Sequence, residues 1–224
     1  MVNVNNSIKT VHTVTLEIAG HTAMWTRPDS GDVPVSYPAP TYSAVKAIFE
    51  SVLWGPAVEI VPERCEICRP LAWHAYYTNY GGPLRKVVRD GNSFQLLATV
   101  LVDVCYRLHA TVVPFGDKSK LNAKALAWDG KTTSPGHAYK EIFERRLKRG
   151  QSHTIPFLGW REFTPSYFGA FRKDTQVCAD MERITLPSMM RRVFNSGYKG
   201  EVAFEYDTDV VIESGVLCYD KRAV

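Results

Sequence analysis

Hydrophobic residues recur with two different spacings along this chain of 224 residues, one typical of strands and the other of helices. Residues 11–18 alternate, with Val14, Leu16 and Ile18 on one side and Thr13, Thr15 and Glu17 on the other. This spacing is typical of an antiparallel strand with one solvated face. Further strand patterns, of which 94–113 is the clearest, occupy residues 57–61, 65–73, 94–113, 154–163, 201–206 and 209–219. Pro62 is expected to separate the first two of these.

Two segments have helical spacing instead. Apolar residues recur at i, i+3, i+4 and i+7 over residues 45–52, and the Gly55-Pro56 pair is expected to end this helix. A second helix is predicted over about 137–149, with Gly150 at its C-terminal end. The resulting order of strand, helix, strand, strand, helix and strand is the split βαβ arrangement of ferredoxin-like and RRM domains.

These elements predict an α+β fold in two parts. Residues 1–164 are expected to form an N-terminal ferredoxin-like domain, and residues 165–224 to add a C-terminal antiparallel β-sheet extension. Because ferredoxin-like folds host many unrelated functions, the order of elements alone does not identify the activity.

Composition excludes several broad classes of protein. Hydrophobic residues make up 45% and charged residues 22% of the chain, which is close to the average of folded globular domains and unlike disordered chains. No stretch approaches the roughly 20 apolar residues of a membrane span, so no membrane partner is predicted. The first residues lack a basic segment that leads into an apolar core, so we expect no secretory signal and a cytoplasmic location.

The five cysteines show no disulfide framework and favour a reducing compartment. Cys65 and Cys68 form one CxxC pair, whereas a structural zinc site needs four ligands, usually from a second such pair. We therefore interpret the pair as two cysteines in or beside a strand, and predict neither a metal nor another cofactor. A small zinc protein that binds nucleic acid is the distant alternative.

Positive charge is concentrated in one part of the chain. The net charge is +4, and one cluster accounts for most of it. Its members are Lys140, Arg145, Arg146, Lys148, Arg149 and Arg161. Clustered basic residues favour a polyanionic partner, because each phosphate contact releases counterions. The alternative is a helix face that is merely solvated.

Three segments carry a more specific pattern when they are taken together. Residues 36–54 contain SY-x-x-PTY-x-A-x-K-x-I-x-ES-x-x-W, Gly136-His137 opens the second helix, and RR-x-x-x-G is followed by LG-x-RE over residues 145–162. In this order the segments resemble the CRISPR-associated Cas family five proteins, in the Dvulg variant of subtype I-C, which belongs to the RAMP superfamily. With the intervening strands, the resemblance spans nearly the whole chain.

The resemblance implies both a fold and a function. The fold would be a ferredoxin-like RAMP domain followed by an antiparallel sheet. Members of subtype I-C cut the repeat hairpin of precursor CRISPR RNA without a metal and then remain on the 5′ handle of the crRNA within the Cascade complex. The implied partners are precursor CRISPR RNA, the mature crRNA 5′ handle, other Cascade subunits and double-stranded DNA. In other subtypes the family-five subunit only holds the handle, which is the alternative function here.

The resemblance also nominates catalytic residues. Metal-free cleavage uses the ribose 2′-hydroxyl as nucleophile, and a base must take its proton; histidine suits this role near neutral pH. His137 matches the family's catalytic histidine, at a helix start that favours phosphate. The family's tyrosine and lysine positions correspond here to Leu53 and Gly136, so Tyr42 and Lys140 are the candidate catalytic partners. Lys46 is a further possible substitute.

The remaining candidates would bind RNA rather than cut it. They are Lys46, Arg145, Arg146, Lys148, Arg149, Gly150, Trp160 and Arg161. Gly150 begins a segment that resembles the glycine-rich loop of RAMP proteins, and glycine permits close approach of the backbone to phosphate. Trp160, like Trp54 and Trp73, could stack on an unpaired base. The alternatives are a helix C-cap for Gly150 and a place in the core for each tryptophan.

Overall fold

The computed structural model describes residues 11–80, 94–115, 121–131, 134–194 and 202–219. Within these ranges it contains eight strands and three α-helices. In chain order they are β1 (His12–Ala23), α1 (Tyr42–Val52), β2 (Val58–Ile67), β3 (Ala72–Tyr80), β4 (Phe94–Pro114), α2 (Ala123–Gly130), α3 (Pro135–Lys148), β5 (Tyr167–Gly169), β6 (Ile184–Phe194), β7 (Val202–Glu213) and β8 (Val216–Cys218). The sequence also predicts a turn-rich loop over residues 78–86; residues 78–80 instead end β3, and residues 81–86 lie outside the described residues.

The eight strands form one sheet, with the order β5-β1-β4-β2-β8-β7-β6 and with β3 paired to β4. Each pairing is antiparallel. The strands β1, β2, β4 and β5, together with α1 and α3, follow one another in the split βαβ order of a ferredoxin-like domain. The predicted α+β fold is therefore confirmed.

Strand β4 is long enough to pair with β3 and β2 in succession. Its first half pairs with β3, and its second half pairs with β2 while β1 lies on its other side. The prediction that Pro62 divides two strands is wrong, because Pro62 lies inside β2 and pairs with Ala110. The register shifts between Pro62 and Arg64, and such a bulge accommodates a residue without a backbone N–H.

Strands from both sides of the predicted boundary at residues 164 and 165 belong to the same sheet. Strand β5 pairs with β1, and β8 pairs with β2, while the β6–β7 hairpin extends the sheet outward. The two-domain division itself stays a prediction. An antiparallel arrangement of the C-terminal strands, as the sequence predicted, is confirmed.

The strand predicted over residues 154–163 is wrong, because this segment forms an irregular turn. Met24 donates its N–H to the carbonyl of Leu158, and Leu158 donates to the carbonyl of Phe163. Gly159 has φ +91°, and a Cβ there would lie 1.8 Å from the carbonyl oxygen of Met24. Only glycine permits the loop to approach the end of β1 this closely.

The helices α1 and α3 cover one face of the sheet. On β1 this face carries Val14, Leu16 and Ile18, each almost fully buried, and the row begins with the half-buried His12. Phe49 of α1 and Phe143 of α3 meet with ring centres 5.6 Å apart. The core therefore holds the first turns of α3 against the start of β1.

The opposite face of the sheet is covered in part by residues 170–178. The Glu17 carboxylate accepts hydrogen bonds from the backbone N–H and Nε of Arg172, at 2.9 and 2.6 Å, and from the hydroxyl of Thr175 at 2.9 Å. Arg107 donates to the carbonyl oxygens of Arg172 and Thr175 at 2.7 and 2.5 Å. Glu17 is fully buried, so its predicted place on a solvated face is wrong.

Candidate active site

His137 lies in the first turn of α3 with an exposed side chain. The helix begins after Ser134, whose side chain makes no capping hydrogen bond, and Pro135 occupies its first turn. Backbone N–H groups in a first turn lack partners within the helix, and they lie at the positive end of its dipole. His137 therefore projects from a place that favours an anionic group such as phosphate.

A second imidazole lies beside His137. The ring centres of His12 and His137 are 5.8 Å apart, with an angle of 49° between the ring planes. The ring of His12 lies against Gly136, where a Cβ would come within 2.6 Å of its Cδ2 atom. Sequence reasoning missed His12, although it continues the alternating row of β1 that faces the helices.

Lys140 shares a helix face with His137, because residues three positions apart are neighbours on a helix surface. Its Nζ lies 3.8 Å from the Glu144 carboxylate, and its side chain is 35% exposed. Such a partly exposed pair is weak, so the ammonium group can still contact an incoming anion. The structure thus brings together two of the predicted catalytic residues, His137 and Lys140.

Tyr42 is not brought to this place. It is buried, with its ring perpendicular to Tyr219 and with the guanidinium of Arg191 4.1 Å from its ring centre. Burial raises the pKa of the Tyr42 phenol, despite the nearby charge of Arg191. Tyr42 begins α1, whereas the other end of that helix meets α3, about 16 Å away for eleven residues. The structure therefore does not place Tyr42 beside His137, and its role as a catalytic partner stays a prediction.

A different tyrosine, which belongs to α3, contacts the end of α1. Tyr139 donates its hydroxyl to the carbonyl of Leu53, and its ring packs against Gly55. Burial raises the pKa of the Tyr139 phenol. Trp54 lies between Leu53 and Gly55, and its side chain is 59% exposed. Its indole face is therefore available to a ligand beside the contact between α1 and α3. Trp54 is the predicted stacking residue that lies nearest in the chain to this junction.

Lys46 is held within the protein by acidic neighbours. Its Nζ lies 3.1 Å from the carboxylate of Glu59 and 3.9 Å from that of Glu50. These contacts link the middle of α1 to β2. The two carboxylates also offset most of the positive charge of the Lys46 ammonium that would attract a phosphate. Lys46 therefore links two elements of the fold, and its contact with RNA stays a prediction.

The basic residues of α3 differ in their positions. Arg146 is half-buried and donates to the carbonyl of Val52 at 2.8 Å, so it joins the two helices. Arg145, Lys148 and Arg149 are exposed. They follow His137 by eight to twelve residues, about 12–18 Å along the helix axis. These cations are therefore too distant to contact the same phosphate as His137.

Gly150 ends α3 in a way that explains its conformation. Its φ is +62°, its N–H donates to the carbonyl of Leu147, and the N–H of Gln151 donates to the carbonyl of Arg146. This pair of hydrogen bonds is the Schellman motif, in which glycine is preferred. The C-cap alternative for Gly150 is confirmed, and the backbone contact with RNA stays a prediction.

Trp160 belongs to an aromatic cluster. It stacks on Phe163 with ring centres 5.7 Å apart, meets Tyr76 edge to face, and donates its indole N–H to Thr26 at 3.0 Å. This half-buried position favours the structural alternative for Trp160. The neighbouring Arg161 is exposed.

The cysteine pair does not gather a metal-binding set in the described part of the chain. Cys65 is buried and Cys68 is half-buried, and all five cysteines are free thiols. Across the described residues, no group of three or more histidine, cysteine or acidic side chains could hold a metal ion. Over the same ranges, no helix is sufficiently long and apolar to span a membrane.

The fold, the exposed His137 and the half-buried His12 beside it define the chain as an α+β protein with a ferredoxin-like half and a candidate acid–base site at one helix start. The Cas5d family model, described as CRISPR-associated protein (Cas_Cas5), matches residues 13–185. The chain belongs to this family of CRISPR-associated proteins, which confirms the resemblance found in the sequence motifs.

Two relatives carry the same name, CRISPR pre-crRNA endoribonuclease Cas5d. The protein from Thermus thermophilus is 34% identical over 157 residues, which cover 68% of this chain and 62% of the relative. The protein from Mannheimia succiniciproducens is 31% identical over 172 residues, which cover 69% of this chain and 71% of the relative. The match therefore spans about three fifths of the Thermus protein's length.

Solved structures are similar across almost the entire fold. A crystal structure of a CRISPR-associated protein has a TM-score of 0.68 and 18% identity, and the match covers 94% of this chain and 93% of that one. A functionally uncharacterized protein from Streptococcus mutans has a TM-score of 0.67 and 17% identity, with the same coverage. At these identities the similarity shows the fold alone.

Proposed function

We propose that this chain is a metal-independent endoribonuclease that cleaves the repeat hairpin of precursor CRISPR RNA. The observation that carries the proposal is the exposed His137 in the first turn of α3, in a chain that is similar to two proteins named pre-crRNA endoribonucleases. The neighbouring Lys140 adds a positive charge on the same helix face.

In the proposed reaction, the 2′-hydroxyl of the RNA attacks its own 3′ phosphate. His137 takes the proton from this hydroxyl, and one such transfer contributes about 10²–10⁴-fold to the rate. Lys140 and the first-turn N–H groups of α3 stabilise the charge that develops on the phosphorus oxygens. The products are a 2′,3′-cyclic phosphate and a free 5′-hydroxyl.

The exposed cations beyond this site would hold the RNA backbone. Arg145, Lys148 and Arg149 form a positive end of α3, and Arg161 is exposed on the following loop. After cleavage the chain would remain on the crRNA 5′ handle as a subunit of Cascade in the cytoplasm. There it would meet other subunits and, through the guide, double-stranded DNA.

A second candidate function is that of a structural subunit that binds the 5′ handle without cutting. It is favoured by the residues at two positions, because the family's tyrosine and lysine correspond here to Leu53 and Gly136. Leucine and glycine offer neither a proton donor nor a charge.

One experiment separates the two functions. The purified chain is incubated in EDTA with its cognate repeat RNA and with the same RNA carrying a 2′-deoxyribose at the cleavage site. We expect cleavage of the first RNA only, with a 2′,3′-cyclic phosphate end. Tight binding of both RNAs without cleavage would instead support the structural subunit.

A further inference from the structure

The position of His12 follows from the pairing of β1. His12 is the first residue of β1 and pairs with Val112 of β4. Because successive side chains of a strand point to opposite faces, His12 shares the face of Val14 and Leu16, which α3 covers. At this end of the row the face is no longer fully covered, and the imidazole of His12 is half-buried.

The first turn of α3 is shaped to receive this ring. A Cβ at position 136 would lie 2.6 Å from Cδ2 and 3.5 Å from Cγ and Nε2 of His12. Any side chain there would therefore move the imidazole. Glycine leaves it against the helix start, 5.8 Å from the ring centre of His137.

Resting on the proposed function, we infer that His12 is a second catalytic residue, which donates a proton to the leaving 5′-oxygen of the RNA. A general acid or base must come within about 2.6–3.2 Å of the atom it serves. Two rings whose centres are 5.8 Å apart can therefore each contact an oxygen of one phosphodiester. His12 supplies the acid that neither Leu53 nor the buried Tyr139 can provide.

The proton balance is complete with these two side chains. Neutral His137 takes the proton of the 2′-hydroxyl as the bond between the 2′-oxygen and phosphorus forms. Protonated His12 gives its proton to the 5′-oxygen as the bond from phosphorus to that oxygen breaks. His137 ends protonated and His12 ends neutral, and exchange with water restores both.

The test uses a leaving group that needs no proton. His12→Ala is compared with wild type and His137→Ala at saturating RNA, on a normal repeat RNA and on one with a bridging 5′-sulfur at the cleavage site. A thiolate leaves unprotonated because thiols ionise far more readily than alcohols. His21→Ala is the matched control, since His21 lies near the other end of β1 and is 89% exposed.

We expect His12→Ala to lose about 10²–10⁴-fold in rate on the oxygen substrate and to approach wild type on the sulfur substrate. His137→Ala should stay slow on both substrates. A merely structural role of His12 would slow both substrates equally and would overturn the inference. An unchanged rate for His12→Ala on the oxygen substrate would overturn it as well.

A second variant moves the ring without removing it. Gly136→Ala should displace His12 and lower the rate by about 10–100-fold on the oxygen substrate, without lowering the melting temperature. Gly130→Ala is its control, because a Cβ there meets nothing within 4 Å. An undiminished rate in Gly136→Ala contradicts the inference.

The outcomes distinguish failure of the proposed function from failure of the role of His12. If wild type binds RNA but never cuts it, the proposed function itself fails. If wild type cuts and His12→Ala cuts equally well, only the role of His12 fails.

Discussion

At the scale of single residues, the site depends on which side chains are exposed and which already have partners inside the protein. His137 is exposed and Lys140 lies on the same helix face, while Tyr139 points inward and gives its hydroxyl to the carbonyl of Leu53. Tyr42 and Lys46 likewise have partners inside the protein. Sequence motifs singled out His137, which the structure shows to be exposed, but motif spacing alone does not reveal whether a neighbouring tyrosine or lysine faces solvent.

Trp54 is expected to stack on an unpaired base near the cleavage site. Its indole is 59% exposed, and Leu53 and Gly55 on either side contact Tyr139 in α3. Since base–aromatic stacking contributes about 1–3 kcal/mol per base, Trp54→Ala should weaken RNA binding by about 5–150-fold. Fluorescence anisotropy with labelled repeat RNA measures this change.

Trp73→Ala is the control for this prediction. Trp73 is also exposed, but it pairs with Leu101, eleven residues along β4 from the partner of His12 and therefore about 36 Å away in an extended strand. Equal losses of affinity in the two variants would contradict a stacking role specific to Trp54.

At the scale of elements, α3 carries different chemistry at its two ends. His137 is at its start, beside His12 of β1, the exposed cations are at its end, and Glu141 and Glu144 lie between them. The helix itself was predictable from its periodicity, since 137–149 was expected and Pro135–Lys148 is observed. The orientation of Arg146 also follows from spacing, because it lies three residues after the buried Phe143 and beside Leu147, on the packed face.

Reversing charge at the end of α3 should weaken RNA binding more than it affects the chemical step. Arg145→Glu with Arg149→Glu removes two exposed cations that lie about 12–18 Å from His137. If both contact phosphate, the slope of log K against log salt should fall by about 1.4 for single-stranded RNA. The cleavage rate at saturating RNA should stay close to that of wild type.

Binding titrations at several salt concentrations check this prediction. Lys173→Glu is the control, because Lys173 is exposed in the segment that covers the other face of the sheet. A salt slope unchanged by the double variant would mean that the end of α3 is a solvated surface only.

At the scale of the whole molecule, elements with a clear periodicity of their own were predicted correctly. Features that depend on contacts between distant segments were not. Strand β4 and helix α1 are recognisable from periodicity because their own sequences determine which face is apolar. The irregular turn at 154–163 depends on hydrogen bonds to Met24, far away in the chain, and Glu17 is buried by residues 170–178. His12 was missed for the same reason, because only the packing of α3 on β1 places it beside His137.

The buried Glu17 is expected to be important for stability. Burial alone would raise its pKa, but hydrogen bonds from Arg172 and Thr175 outweigh burial and hold the pKa below the usual value. Glu17→Gln leaves the guanidiniums of Arg107 and Arg172 without their counter-charge. Because Arg172 is itself partly exposed, we expect a loss near the lower end of the range for broken buried pairs, about 3 kcal/mol.

The same carboxylate predicts a pH dependence. A lowered pKa in the folded state stabilises the protein above the usual carboxyl pKa of about 4.3, and this contribution is lost as the pH falls below that value. Urea unfolding at several pH values should show the difference between wild type and Glu17→Gln shrinking in acid. Glu213→Gln, an exposed position on β7, is the control. A difference that does not change with pH would contradict this role of Glu17.

The role of His137 as the catalytic base is tested most directly by the single-turnover cleavage rate of His137→Ala on the cognate repeat RNA, in EDTA and at saturating protein. We expect a loss of about 10²–10⁴-fold in rate, with RNA affinity close to that of wild type, because His137 moves a proton and the distant cations hold the strand. A variant that cuts as fast as wild type would contradict this role of His137, since the base would then lie elsewhere.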